Sequence, residues 1–141
     1  MREAGVMLVV NPEGLILGIT RRNDRTKYGL PGGKLDPTAG DKNAMDAAIR
    51  ETLEETGIVV TSCLEIYKRV ELGDGVNAED FYSTCFYAAH WEGLPRDSEE
   101  GSVKWLTPEE VTCSKAAFGA YNRKTLDIFK TMFPNVKLEG E

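Results

Sequence analysis

The stretch from Asp41 to Gly57 constrains the fold more than any other, because it joins a helical apolar period to a charged opposite side between turn-forming ends. Met45, Ala48, Ile49, Thr52, Leu53 and Thr56 recur at intervals of three and four, the spacing that keeps side chains on one helix face. Asp41 is predicted to cap the helix. Gly57 suits the left-handed position just past its end. Ala47, Arg50, Glu51, Glu54 and Glu55 fall on the other side. There Glu51 meets both Glu54 and Glu55, and each like-charge pair costs roughly a few tenths of a kcal/mol. Such a face is either a solvated surface or the seat of something positive.

The flanking sequence reads as strands. GVMLVV and LILGIT flank Asn11-Pro12-Glu13-Gly14, which predicts a β-hairpin over the first twenty residues, and the polar RRNDRTKYG after it is loop-like. Leu30-Pro31-Gly32-Gly33-Lys34-Leu35 is a short apolar edge whose two glycines admit close backbone approach. Val59 to Val70 and Phe81 to Trp91 are rich in β-branched and aromatic residues and predict two strands, with a loop over 73–80. Its Gly73-Asp74-Gly75 reads as a turn, since no helix follows it. Ser102 to Leu106 predicts a further strand. Thr107-Pro108-Glu109-Glu110 has the form of a helix start, with a capping Thr, Pro in the first turn and Glu reaching back. A last helix is expected over Lys115 to Phe133, with Phe118, Tyr121, Thr125, Ile128, Phe129 and Met132 on one face, stopped by Pro134. The expected organisation is one domain over 1–141 with 135–141 as a loose tail.

Composition excludes several classes of function. A net charge of -6 argues against a general binder of nucleic acid or anionic membrane. The run MREAGVMLVV is too short, and too soon followed by Asn11-Pro12, for a signal peptide or membrane span. Cys63, Cys85 and Cys113 are widely spaced and His90 is the single histidine, which disfavours structural zinc and a Cys-His protease. The cysteines are expected to be reduced and mostly buried, which fits a cytoplasmic location. His90 is expected to be an ordinary strand residue. Tyr82, Phe86 and Tyr121 are expected in the core rather than stacked on a base, and Asn122 is a weaker candidate for reading a base edge.

The glycines of LPGGK before the acidic helix, with AAIRETLEETGI inside it, resemble the signature of the Nudix hydrolases, G-x5-E-x7-R-E-U-x-E-E-x-G-U, where U is aliphatic. Arg50, Glu51, Glu54, Glu55, Gly57 and Ile58 match it. ITRR before the glycines and WEG with Trp105 beyond resemble the MutT-like branch. Two departures stand out. Gly33 to Arg50 is three residues longer than the family spacing, so Lys42, or else Asp41, stands for the first Glu. Thr52 occupies an aliphatic position and is expected to loosen packing slightly.

The resemblance implies an α/β (α+β) Nudix fold, a mixed sheet sandwiched between helices. It implies an Mg2+ cofactor, with Mn2+ as a substitute, held by Glu54, Glu55, the Gly32 carbonyl and a loop acid, with Glu51 helping to activate water. Counting back from Trp105 selects Glu99, with Glu100 as a close rival. Hard oxygen ligands of this kind suit such cations, whose arrival offsets the repulsion of the trio. Arg22 and Lys34 would bind substrate phosphates, while Arg50 would orient the acids through Asp46 and Glu54, and Gly33 and Gly57 would support the site. The substrate implied is a small nucleotide, most readily a nucleoside triphosphate cleaved to monophosphate and pyrophosphate. ADP-ribose or a nucleotide sugar is the alternative, and a catalytically silent nucleotide-binding module the reading from another class. A homodimer through an exposed strand or the last helix stays open.

Overall fold

In a computed structural model that describes residues 2–21, 24–71 and 81–141, two sheets share the strands. β1 (Arg2–Leu8), β4 (Gly32–Lys34), β5 (Val59–Glu71) and β6 (Phe81–Glu92) form a mixed sheet in the order β4-β1-β6-β5. Within it β1 runs parallel to β6, from Arg2 opposite Phe81 to Leu8 opposite Tyr87. β2 (Ile16–Arg21), β3 (Asp24–Gly29) and β7 (Val103–Leu106) form an antiparallel sheet in the order β3-β2-β7. The helices are α1 (Ala44–Thr56), α2 (Pro108–Thr112) and α3 (Gly119–Met132).

The expected hairpin is therefore only a hairpin at its root. Asn11 Oδ1 accepts from the Glu13 and Leu15 amides, Gly14 turns with φ 78°, and Val10 bridges Ile16, but beyond that point the strands diverge into different sheets. The cause is that both faces of this segment are buried. Leu8 and Val10 face a core shared with Ile16, Leu106, Tyr121 and Phe129, while Met7 and Val9 face a second core with Leu17, Ala48, Ile58 and Phe86. A hairpin with one wet face would leave one of these sets in water. The first core lies under α2 and α3, the second under α1.

α1 starts later and is rotated from the sequence expectation. Asn43, not Asp41, is its N-cap, accepting from the Asp46 amide at 2.9 Å. Its buried residues are Ala44, Ala47, Ala48, Thr52 and Thr56, whereas Leu53 is 43% exposed. Gly5 decides this phase: a Cβ there would run into the Ala44 carbonyl and stand 2.9 Å from the Ala48 Cβ. Small residues meeting a glycine bring the helix close to β1, which outweighs the burial of one leucine. Gly57, at φ 81°, ends the helix as predicted, its amide donating to Leu53 O.

The capping box at Thr107 forms as read, with the Glu110 amide on Thr107 Oγ1 and the Thr107 amide on Glu110 Oε1. α3 is shorter than expected because residues 114–117 make turns rather than helix, the Ala117 amide donating to Tyr28 O at 2.9 Å. Phe118 and Met132, assigned to its buried face, are 50% and 45% exposed, and Leu126 is buried instead. The tail expected to be loose is packed: Leu138 is buried, the Glu139 amide donates to Gly14 O, and Glu141 pairs with Lys130. The apolar Leu138 outweighs the polar composition of LEGE. The three cysteines are free, but only Cys85 is fully buried, its thiol pushed up to about 12 by desolvation. The loop over 73–80 lies outside the described residues.

Candidate active site

Gly32 and Gly33 lie on the short strand β4 because side chains would not fit there. A Cβ on Gly32 would run into the Gly5 carbonyl and stand 2.8 Å from Val6 Cα, and one on Gly33 would stand 2.6 Å from Glu51 Cδ. The missing side chains thus let β4 reach β1 and leave room for the Glu51 carboxyl. The Gly32 amide donates to Glu55 Oε1 at 2.9 Å. The acids of α1 are thereby applied directly to the glycine strand, as the resemblance implies.

Arg50 organises the acids, with partners that differ in part from those expected. Its Nε and Nη2 donate to the two oxygens of Asp41 at 3.0 and 2.8 Å, and its Nη1 donates to Glu51 and Glu54, each at 3.1 Å. Asp46 is not among these partners; it accepts from the Lys42 amide instead. The longer path from Gly33 to Arg50 is taken up by a 3₁₀ turn at Pro37–Ala39, which brings Asp41 back onto the guanidinium. Asp41, and not Lys42, is the acid that faces Arg50. The Arg50 hydrogen bonds hold the Asp41 carboxyl below its ordinary range, and the same contacts raise the guanidinium further. Lys34, at the end of β4, is exposed; its carbonyl accepts from Arg50 Nη2 and its ammonium lies 5.8 Å from the Phe81 ring centroid. Arg22 lies outside the described residues.

The loop after β6 brings a further acid to the same pocket. Ser98 Oγ donates to the Glu55 carbonyl at 3.0 Å and accepts from the Glu100 amide at 3.2 Å, tying this loop to the end of α1. Asp97 Oδ1 accepts from the Val103 amide, and the buried Thr20 Oγ1 from the Ser102 amide. Glu100 is half-buried and lines a pocket of about 270 Å³ together with Glu55, Gly32, Leu30, Arg21 and Phe118, while Glu99 is exposed. The residue selected by counting from Trp105 is thus the one turned to solvent, and its rival faces the acids. Sequence reasoning missed Ser98, Arg21 and Phe118. Contacts that span 43 positions, as between Ser98 and Glu55, leave no local signal.

Burial raises Glu55 to about 8, with Glu51, Glu100 and Glu54 adding to the effect and the Gly32 amide opposing it. Glu51 is also raised by burial, against the pull of Arg50. Desolvation thus outweighs Arg50 at Glu51 and the Gly32 amide at Glu55, so the site disfavours the charge of both acids. Oxygen donors in that condition fit a hard divalent cation. Among the described residues, no three acidic, His or Cys side chains enclose a cation as they are oriented here, since Arg50 holds Glu54 and Gly32 holds Glu55.

Asn122 is not a base reader: it is buried, and its Nδ2 donates to Val111 O and Ala117 O. Tyr121 and Phe86 are buried, and His90 is an exposed strand residue.

A helix of clustered acids, clamped by Arg50 to a glycine strand within this sheet arrangement, is the architecture of a Nudix hydrolase. The NUDIX domain description matches residues 1–127, and the chain belongs to that family as a MutT-like pyrophosphohydrolase. A MutT-like protein of Streptomyces ambofaciens is 34% identical over 137 residues, which is 95% of this chain and 79% of that protein. A Bacillus subtilis (strain 168) protein provisionally named 8-oxo-dGTP diphosphatase is 27% identical over 110 residues, 77% of this chain and 68% of its own length. The crystal structure of a MutT NUDIX hydrolase from Burkholderia pseudomallei matches with a TM-score of 0.71 at 24% identity, across 89% of this chain and 95% of that one. That last likeness speaks for the fold. Among the described residues, no helix is long and apolar enough to cross a membrane.

Proposed function

We propose that the chain hydrolyses a nucleoside triphosphate to the monophosphate and pyrophosphate with Mg2+. The observation that carries this reading is the gathering of Glu55 and Glu100 beside Gly32 with Glu51 against Gly33, where burial raises both Glu51 and Glu55. Glu54, Glu55, Glu100 and the Gly32 carbonyl would hold the cation, with Glu51 next to them. When bound, the cation supplies charge neutralisation at the diphosphate and lowers the pKa of water.

The chain's own groups do the rest. Glu51, pressed against Gly33 and raised by burial, accepts the proton of the attacking water. The water oxygen bonds to a phosphorus of the α–β bridge, the bridging P–O bond breaks, and monophosphate and pyrophosphate separate. Arg50, itself fixed by Asp41, holds Glu51 and Glu54 in orientation. Lys34 would bind the phosphates, and by the resemblance so would Arg22, which lies outside the described residues. Chemistry of this kind depends mainly on positioning and charge stabilisation, which this arrangement provides. The provisional name of the Bacillus subtilis relative, an 8-oxo-dGTP diphosphatase, supports a nucleoside triphosphate over a nucleotide sugar.

A panel of ordinary and oxidised nucleoside triphosphates, ADP-ribose, dinucleotides and nucleotide sugars, with Mg2+ or EDTA and product analysis, tests the proposal. Release of pyrophosphate from a triphosphate only with metal is the expected result. Turnover confined to ADP-ribose or a nucleotide sugar would replace the substrate, and turnover in EDTA would overturn the metal reading.

A further inference from the structure

The pocket beside Glu55 and Glu100 has a far wall that includes Phe118, and Phe118 has an unusual backbone. With φ 57° and ψ 38° it is the one non-glycine residue at positive φ among the described residues. For a bulky aromatic that region is disfavoured, because Cβ crowds the following carbonyl. The surroundings impose it. A Cβ on Gly119 would run into the Cys113 carbonyl, so that position presses against the end of α2. On the other side Ala117 is tied to β3 through Tyr28 O, and the buried Asn122 grips Val111 O and Ala117 O.

The result of this clamping is a half-exposed phenyl ring. A phenylalanine serving the core would be buried, and a residue serving only this turn would be Gly or Asn. Instead the ring stands on the wall of the acid pocket, with the Arg21 guanidinium 5.0 Å from its centroid. Strain kept at a cleft, on an aromatic ring that lines it, marks a binding role.

We propose that Phe118 is the platform on which the nucleobase of the substrate stacks, with Arg21, whose guanidinium lies over that ring, as a donor at the edge of the base. Asn122 is a positioning residue that holds the platform out. The assignment rests on the nucleotide reading of the site and adds where the base lies.

The test compares Phe118→Asn, which tolerates the left-handed backbone but lacks the ring, with Phe118→Tyr, which keeps it. For a triphosphate that the wild type hydrolyses, Phe118→Asn should raise KM about 5- to 150-fold, the range for loss of one base–aromatic stack, with the loss falling on KM rather than kcat. Its thermal midpoint should stay or rise, because strain is relieved. Inorganic tripolyphosphate, which has no base, should inhibit both forms equally, and Phe118→Tyr should recover most of the affinity. An unchanged KM in Phe118→Asn overturns the proposal, as does a parallel loss of tripolyphosphate inhibition. If the wild type hydrolyses no triphosphate, the nucleotide hydrolysis reading fails on its own. Calorimetric binding of a nucleoside monophosphate then decides: affinity lost in Phe118→Asn supports the platform, and affinity unchanged or absent from the wild type overturns it.

Discussion

Replacing Thr52 by Val should stabilise the protein. Thr52 is fully buried on α1, and its Oγ1 is the one buried side-chain polar atom without a hydrogen-bond partner among the described residues. Its carbonyl is used, accepting from Thr56 Oγ1 at 2.6 Å, so the backbone there is satisfied and only the hydroxyl is stranded. Valine has nearly the same shape, so no cavity opens, and the two residues have similar helix propensity. The change therefore removes the desolvation cost of one unpaired hydroxyl, about 1–2 kcal/mol. With an unfolding entropy of roughly 0.3 kcal/mol/K for a chain of this length, the melting temperature should rise by about 3–7 °C. Urea titration should show a higher midpoint with an unchanged slope, and hydrolysis should be unaffected. A midpoint that stays or falls would mean that the hydroxyl has a partner, and the premise of a stranded group would be wrong. The sequence expectation of loosened packing is met by a different cost, since the residue is tightly enclosed and its defect is polar.

Four further substitutions probe the acids. Glu55→Gln should keep the fold and lower kcat by about a hundredfold or more, and a fully active variant would remove its role. The same group predicts a pH effect: Glu55 is raised from the ordinary 4.5 to about 8, so the folded metal-free protein holds a proton that the unfolded chain releases. Its contribution is present below the unfolded value and is lost as pH rises through the folded one, so thermal midpoints in EDTA should decline over that span, and Glu55→Gln should flatten the decline. Of the two loop acids, Glu100→Gln should raise the Mg2+ requirement and Glu99→Gln should not, as read from activity against Mg2+ concentration; the reverse would restore Glu99. Asp41→Asn leaves Arg50 with Glu51 and Glu54 alone, and chemical denaturation should show a loss of about 1–3 kcal/mol together with lower kcat.

Features whose physics is local could be read from the chain. Glu51, Glu54 and Glu55 share a helix face because three and four residues span one turn, Gly57 ends that helix because its φ of 81° suits glycine, and Thr107 closes its capping box within three residues. The family pattern rests on the same local order, and so the class of enzyme was legible. What escaped involves partners far apart in sequence. Gly5 sets the rotation of α1 because a side chain there would strike Ala44, and nothing near either residue announces it. Asp41 abandons the cap for Arg50, Ser98 joins the acid loop to Glu55, and Leu138 draws the tail into the core. Phe118 takes up a disfavoured backbone because Gly119 and Asn122 leave it no other. Periodicity and caps are energies of one turn of chain, and these the order of residues determines by itself. Which acid faces the pocket and which ring lines it depend on contacts that exist only once the sheets and helices have closed on one another.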